Sequence, residues 1–455
     1  MKTFATAEEK FDYMTATPVK KLVLRLSGPA VLSMLVSSLY NMADTFFVGQ
    51  IGTSATAAVG VVFSLMAVIQ AIGFFFGHGS GNFISMAMGS RDDDSAGIMA
   101  SVGFFSCFLI STALAILGLV FIDPLIWLLG ATDTIFPYAK SYATYILIGM
   151  PFMASSLTLN NQLRFEGSSF FGMRGIVAGA ILNIALDPLF IFVLKMGVGG
   201  AGLATIISQF VSWCILFAGL RTNANIPIKI KNFHPSKFYF KKIVSGGLPS
   251  LARQSLGSLA QIVLNTVAGV WGDAAIAALS IANRIFQMAT SATVGFGQGF
   301  QPVCGFSYGA KMYKRIRDSF DFCIAFSFIF LLVLSIIGFI FASPIVRFFR
   351  NDPDVIAIAT QAIRFQCFSL PFSCFAMTVS MMLQTVNKTK GATILAMCRQ
   401  GIVFIPVLFA LRYAMGLTGI ELAQTITDFI SFFIAIPLCI GFFKEIGVMK
   451  AKKYR

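Results

Sequence analysis

Long apolar runs, separated by short polar or glycine-containing breaks, recur along almost the whole chain and leave little choice of fold. Twelve are recognised, at about 26–50, 57–78, 97–122, 136–158, 173–193, 199–221, 243–271, 275–300, 319–341, 358–383, 394–412 and 419–443. Each is long enough to cross a bilayer, whose hydrocarbon core of about 30 Å takes roughly 20 helical residues. In lipid the backbone must satisfy its own hydrogen bonds, so the runs are predicted to be helices. A transmembrane β-barrel needs alternating strands of ~10 residues, and no such alternation is present. Composition agrees, with 57% of the residues hydrophobic and 12% charged, against about 25% charged in a soluble domain. A soluble enzyme does not fit, and a disordered or fibrous chain is excluded.

The net charge is +15, from 34 Lys and Arg against 19 Asp and Glu. Nucleic-acid binding and basic cytoplasmic loops are the two readings, and the layout decides between them. With the N-terminus inside, the basic residues gather in the N-terminal tail, in 221–242, in 311–317, in 388–399 and in the C-terminal tail. The outer segments hold Lys140, Lys195, Arg347, Arg350 and Arg412, while Arg253, Arg284 and Arg364 fall inside spans. This is the positive-inside asymmetry, so no nucleic-acid partner is invoked, and both termini are placed in the cytoplasm. The polar first 20 residues lead to no cleavage site for a signal peptide. The single sequon, Asn387-Lys388-Thr389, lies in a cytoplasmic loop and is read as chance. Together these point to a multi-pass protein of a prokaryotic plasma (inner) membrane. The eight cysteines form no C-x-x-C pair and are read as small buried hydrophobes. His78 and His234 are too isolated for a metal centre, and no cofactor is expected. Gly295-Phe296-Gly297-Gln298-Gly299 follows no strand and is not a dinucleotide loop.

The two halves repeat. An offset of 220 aligns Pro29 with Pro249, Ser38 with Ser258, Gly49 with Gly269, Gly79 with Gly299 and Gly89 with Gly309. Near the end of each half an offset of 219 aligns Met196-Gly197 with Met415-Gly416, and Gly200 with Gly419. The expected architecture is all-α and integral to the membrane, with twelve helices in two pseudo-symmetric six-helix lobes. The N-lobe covers 1–222, a basic cytoplasmic linker 223–242 and the C-lobe 243–455. An even number of spans per lobe makes the repeat parallel, a plan found in secondary transporters, with the substrate path expected between the lobes and a monomer as the working unit.

Ionisable groups inside spans are costly and usually functional. Asp44 and Asp187 each lie ~6 residues from the outer end of a span, about 9 Å below the rim at 1.5 Å per residue. Thr205 and Tyr142 reach a similar depth in the sixth and fourth helices. Asn183 is one turn from Asp187, and Tyr40 one turn from Asp44, on the same helix faces; Ser37, Tyr40, Asn41 and Asp44 form a polar stripe. Two carboxylates, an amide, a hydroxyl and phenols in one layer suit H+ or Na+, since a proton or a hard cation with oxygen ligands relieves the repulsion between the acids. The repeat makes this lopsided: Leu264 stands where Asp44 does, and no acid replaces Asp187. Asp428 and Arg284 are additional candidates, and Glu421 lies closer to the outer interface. Arg253, Arg284 and Arg364 are expected to pair with an acid or a carbonyl, or to line a wet cavity.

Taken together, Pro29 to Asp44 in the first helix, Asn183 to Pro188 in the fifth and Gly200-Ala201-Gly202-Leu203-Ala204-Thr205 after it resemble the MATE (multidrug and toxic compound extrusion) family. Leu163-Arg164-Phe165-Glu166-Gly167 and Ile426-Thr427-Asp428 look like further family signatures. The resemblance implies a two-lobe antiporter that exports small organic cations, interacts with membrane lipids, and is driven by H+ or Na+. It maps the first-lobe cation site onto Asp44, Asn183, Asp187 and Thr205, with Tyr40 and Tyr142 beside them. The NorM branch carries acids in the seventh and tenth helices. Here Gln254, Gln261 and Asn265 stand in the seventh, and Gln361, Gln366 and Gln384 in or beside the tenth. That favours the branch resembling DinF and MepA, which relies on the first lobe. Many Phe and Met residues are consistent with an adaptable drug-binding surface. The alternative within transport is a flippase-like exporter of lipid-linked or amphipathic molecules, which predicts a basic cavity between the lobes with Arg253, Arg284 and Arg364 facing inward. A membrane-embedded enzyme lacks any His, Cys or Ser constellation, and a channel lacks a filter-like repeat.

Overall fold

Each apolar run is helical in the computed structural model, which describes residues 4–220, 226–350 and 352–448, without the side chains at 41, 42, 45, 53 and 273. A short helix, α1 (Ala7–Ala16), comes first, capped by the Thr6 side chain, which accepts from the Glu9 N–H. It is followed by α2 (Val19–Gly49), α3 (Thr53–Gly89), α4 (Asp93–Val120), α5 (Ile122–Leu128), α6 (Phe136–Phe165), α7 (Ser169–Pro188) and α8 (Gly197–Gly219). The second half repeats the order in α9 (Lys237–Ala268), α10 (Asp273–Gly309), α11 (Tyr313–Phe349), α12 (Pro353–Thr385), α13 (Thr389–Met397), α14 (Phe404–Met415) and α15 (Leu417–Glu445). The described residues contain no strand.

Two helices widen into π turns. Leu189–Val193 continues α7 just past Pro188, where Leu194 N–H bonds to the Leu189 carbonyl at 2.9 Å; a proline has no N–H for the regular ladder, which makes room for the wider turn. Cys398–Ile402 joins α13 to α14, with Val403 N–H on the Cys398 carbonyl at 3.3 Å. Ten helices are long and apolar enough to span a membrane among the described residues. The expected runs at 243–271 and 275–300 are helical, as α9 and α10, but are not among those ten. They carry Arg253, Gln254, Gln261 and Asn265, and Asn283, Arg284 and Gln287, polar groups that in a membrane face protein or water rather than lipid.

The chain forms two compact units. One contains residues 1–17 and 28–251, the other 18–27 and 252–455. The first nine residues of α2 are thus grouped with the second half of the chain, and the start of α9 with the first half. Two glycines related by the repeat show why. In the first unit a Cβ on Gly79 would stand 2.4 Å from the Ile243 carbonyl oxygen, and in the second a Cβ on Gly299 would stand 2.2 Å from Ser27 Oγ. Only a glycine lets α3 lie this close to α9, and α10 this close to α2. Ser27 Oγ also donates to the Phe296 carbonyl at 3.0 Å. The first unit packs Phe104, Leu159, Leu163, Leu216 and Leu220 together, backed by Trp213 and Phe217. The second has a larger core of small and branched residues, among them Leu264, Ala282, Val346, Ala359, Ile363 and Leu408.

Helix α1 is tied to the first unit by a buried ion pair. Lys10 Nζ lies 3.6 Å from Glu166 Oε2, and neither side chain is more than 1% exposed. The Ile226 N–H donates to the same carboxylate oxygen at 2.9 Å, which fixes the described start of the interlobe segment here as well. Burial pushes the Glu166 carboxyl above its ordinary range and the Lys10 ammonium below its own, while their mutual attraction works against both shifts. Around the pair, Met14 packs on Gly167 and the Arg91 guanidinium lies 4.4 Å from the Phe11 ring centroid.

Candidate functional site

The polar layer expected in the first unit assembles from four helices, α2, α6, α7 and α8. Asp44 is 7% exposed, and Tyr142, Asn183, Asp187 and Thr205 are at most 1% exposed. Tyr142 donates its hydroxyl to Asp44 Oδ2 at 3.4 Å and lies 3.9 Å from Met66 Sδ on α3. Asn183 Nδ2 donates to Asp187 Oδ1 and to Thr205 Oγ1, both at 3.4 Å. Thr205 in turn donates to the Ala201 carbonyl one turn back, at 3.0 Å. Tyr40 is half-buried, and its hydroxyl approaches Thr205 and Gln209. The Asp44 charge acts on Asp187.

The hydrogen bonds leave a definite remainder. Asp44 Oδ1, Asp187 Oδ2 and Asn183 Oδ1 are buried with no hydrogen-bond partner among the described residues. All three are acceptors, and buried acceptors left unmet are costly. Among the described residues the layer therefore has acceptors in surplus and no side-chain cation that meets them. A proton on a carboxylate fits that remainder, as does Na+ held by the oxygens of Asp44, Asn183, Asp187 and Thr205. Among the described residues no three of His, Cys, Asp and Glu converge.

All six residues assigned to the layer from the sequence, Tyr40, Asp44, Tyr142, Asn183, Asp187 and Thr205, come together. The Asn41 side chain lies outside the described residues. Met66 and Gln209 were missed. Gln209 was legible in principle, since it lies one turn after Thr205 on the same face of α8.

The additional candidates lie in the second unit and separate from one another. Asp428 is 1% exposed and both its oxygens are taken: Oδ1 accepts from Arg399 Nε at 2.9 Å and from Gln424 Nε2 at 3.0 Å, and Oδ2 from Ser369 Oγ at 3.4 Å. Arg399 was grouped by sequence with the cytoplasmic charges. It stands instead in the π turn of an apolar helix, 13% exposed. Its ion pair with Asp428 could not be read from hydropathy, because 29 residues separate the partners. The repeat does mark the spot: at the 219 offset Gln424 and Asp428 correspond to Thr205 and Gln209. Arg284 is exposed on α10, and Arg364 is exposed on α12 with its guanidinium 5.4 Å from the Phe339 ring centroid. Arg253, on α9, interacts electrostatically with Arg399. Glu421 is 3% exposed with one carboxylate oxygen unpartnered. A surface groove in the second unit, lined by Phe320, Ile324, Phe328, Phe375, Ile436 and Phe443, has charge only at its Arg317–Asp321 end and contains none of these residues.

Comparison with known proteins bears on the same residues. The sequence matches the MatE family profile over residues 29–189 and 249–410, segments that contain α2 to α7 and α9 to α13 in large part. It is 27% identical to the multidrug export protein MepA of Staphylococcus haemolyticus, over 95% of this chain and 96% of that protein. It is likewise 27% identical to MepA of Staphylococcus aureus, over 91% of this chain and 92% of that protein. Among solved structures, an outward-facing multidrug resistance MATE family transporter of the MOP superfamily superposes with a TM-score of 0.91 at 26% identity, covering 99% of this chain and all of the other.

Proposed function

The chain belongs to the MatE family, and from that premise we propose that it is a multidrug efflux transporter that exports organic, mostly cationic compounds in exchange for H+ or Na+. It is a multi-pass membrane protein. The reading places it in the plasma membrane with its N- and C-termini in the cytoplasm, acting as a monomer; the residues after 448 lie outside those described. The observation that carries the coupling is the surplus of buried acceptors on Asp44, Asn183 and Asp187.

The steps follow from charge. With its cytoplasmic side open, the transporter binds an organic cation while the carboxylates are bare, because the net negative layer favours positive charge in a low-dielectric lobe. Once the site faces outward, H+ or Na+ from outside occupies the layer. Asp44 and Asp187 lose their pull on the substrate, Asn183 and Thr205 turn their oxygens to the ion, and the drug leaves. Coupling requires that the ion and the drug favour opposite states of the layer, which neutralisation of the same two acids provides. Tyr142 holds Asp44, and Asn183 holds Asp187, so each acid keeps its position while its charge changes.

The test is dye efflux from reconstituted vesicles, first under an imposed pH gradient and then under a Na+ gradient. The wild-type protein is expected to export dye under one of them. Asp44→Asn and Asp187→Asn are each expected to abolish gradient-driven export while still inserting and folding. Export that continues undiminished in both variants refutes the site.

A further inference from the structure

The polar cluster around Asp428 in the second unit has the opposite imbalance to the layer around Asp187. Asp428 is saturated by Arg399, Gln424 and Ser369. Arg399 spends only its Nε on that pair, and neither of its terminal nitrogens has a hydrogen-bond acceptor among the described residues. Arg253, on α9, makes no hydrogen bond or ion pair among the described residues. It interacts electrostatically with Arg399. Arg399 has Asp428 as its carboxylate and Arg253 has none among the described residues, so one positive charge remains over. A guanidinium offers five N–H donors and no acceptor, so most donors of the pair have no protein partner among the described residues. An unbalanced cation at this depth is expensive unless something answers it.

The cluster is also built rather than incidental. The π turn Cys398–Ile402 brings Arg399 to Asp428, and such turns inside helices are frequently found at functional sites. The next residue, Gln400, comes close to Gly257, one helical turn beyond Arg253 on α9; a Cβ at 257 would lie 3.2 Å from Gln400 Oε1. Phe286 of α10 covers one side, its ring centroid 5.9 Å from the Arg399 guanidinium carbon. Arg253 keeps part of its surface accessible, so a ligand can reach it.

We propose that Arg253 and the free edge of Arg399 bind an anionic group, a carboxylate above all, of the exported molecule. The proposal rests on the export reading for its physiological meaning, but the site itself is a binding site and is tested as one. A planar guanidinium pairs with a carboxylate through two parallel N–H···O bonds. Asp428 positions Arg399 and does not touch the ligand.

The experiment titrates the purified full-length protein with two fluorescent dyes and follows their anisotropy. Rhodamine 110 carries a free carboxylate and is zwitterionic, while rhodamine 123 is its methyl ester and a plain cation. Arg253→Gln is expected to weaken rhodamine 110 by about tenfold or more, as for loss of a charge-assisted hydrogen bond, and to change rhodamine 123 less than about twofold. Arg253→Lys is expected to restore part of the difference. On the wild-type protein, benzoate is expected to displace rhodamine 110 and to spare rhodamine 123, a measurement that needs no variant. Equal losses for the two dyes, no loss for either, no binding of rhodamine 110 by the wild type, or no selective competition by benzoate overturns the proposal. Failure of wild-type vesicles to export dye under any gradient refutes the antiport reading instead and leaves these binding differences standing.

Discussion

Replacing Lys10 with Met leaves the Glu166 carboxylate buried with no counter-charge and only the Ile226 N–H to meet it. Removing one partner of a buried ion pair costs about 3–5 kcal/mol. The penalty need not unfold the lobe, because α1 is ten residues long and can come away by itself. At about 1.36 kcal/mol per factor of ten, the opening of residues 7–16 is expected to increase by roughly two to four orders of magnitude. Hydrogen–deuterium exchange of the peptide covering 7–16 reads this directly. The sign with pH follows from Glu166. Its carboxyl is raised in the folded state, chiefly by burial, and in the variant it loses the Lys10 charge that opposed the rise. A group raised in this way contributes stability below its unfolded value and loses it as pH climbs through the folded one. The difference between Lys10→Met and wild type is therefore expected to widen from pH 5 to pH 8. Adding Glu166→Gln removes the stranded charge, keeps an acceptor for Ile226, and is expected to return exchange to within about tenfold of wild type. Wild-type exchange in Lys10→Met, or a double variant as open as the single one, refutes the reasoning.

Further expectations follow from other contacts. Gly299→Ala places a Cβ against the Ser27 backbone and hydroxyl, so overpacking is expected to cost about 1–3 kcal/mol and lower the melting temperature, whereas Gly441→Ala, with open space around it, is expected to leave it unchanged. Arg399→Gln leaves Asp428 charged with two neutral donors and is expected to destabilise the second unit by about 3–5 kcal/mol, a loss that Arg399→Gln with Asp428→Asn largely recovers in a thermal melt. Thr205→Val removes an oxygen from the layer while Asn183 keeps its bond to Asp187. It is expected to raise the concentration of coupling ion needed for half-maximal dye export by about tenfold, with the maximal rate much less affected; an unchanged ion dependence argues against Thr205 as a ligand.

The N-terminal layer was legible because depth along a helix is a matter of counting. Asp44, Tyr142, Asp187 and Thr205 each lie a similar number of residues from the outer ends of their spans, and Asn183 is one turn from Asp187, so their meeting needs only that the four helices run side by side. The glycines at 79 and 299 were visible as a repeat, but not what they touch. Arg399 was misplaced for the opposite reason. Hydropathy averages over a window and assigns a lone arginine near a helix end to water, whereas a buried acid on another helix can draw it inward.

The order of apolar and polar residues, by itself, determined a helical membrane protein, its two related halves, and the helix faces that carry buried acids. These are local matters: a backbone in lipid must bond to itself, and a 3.6-residue period decides which side chains share a face. Only the tertiary structure decided which donors meet which acceptors. Lys10 with Glu166, Ser27 with Phe296 and Arg399 with Asp428 are distant in sequence, and the surplus left on each side, acceptors near Asp187 and donors near Arg253, exists only once those pairings are made. A hydrogen bond depends on position to within tenths of an ångström, and that position is set by the packing of several helices at once.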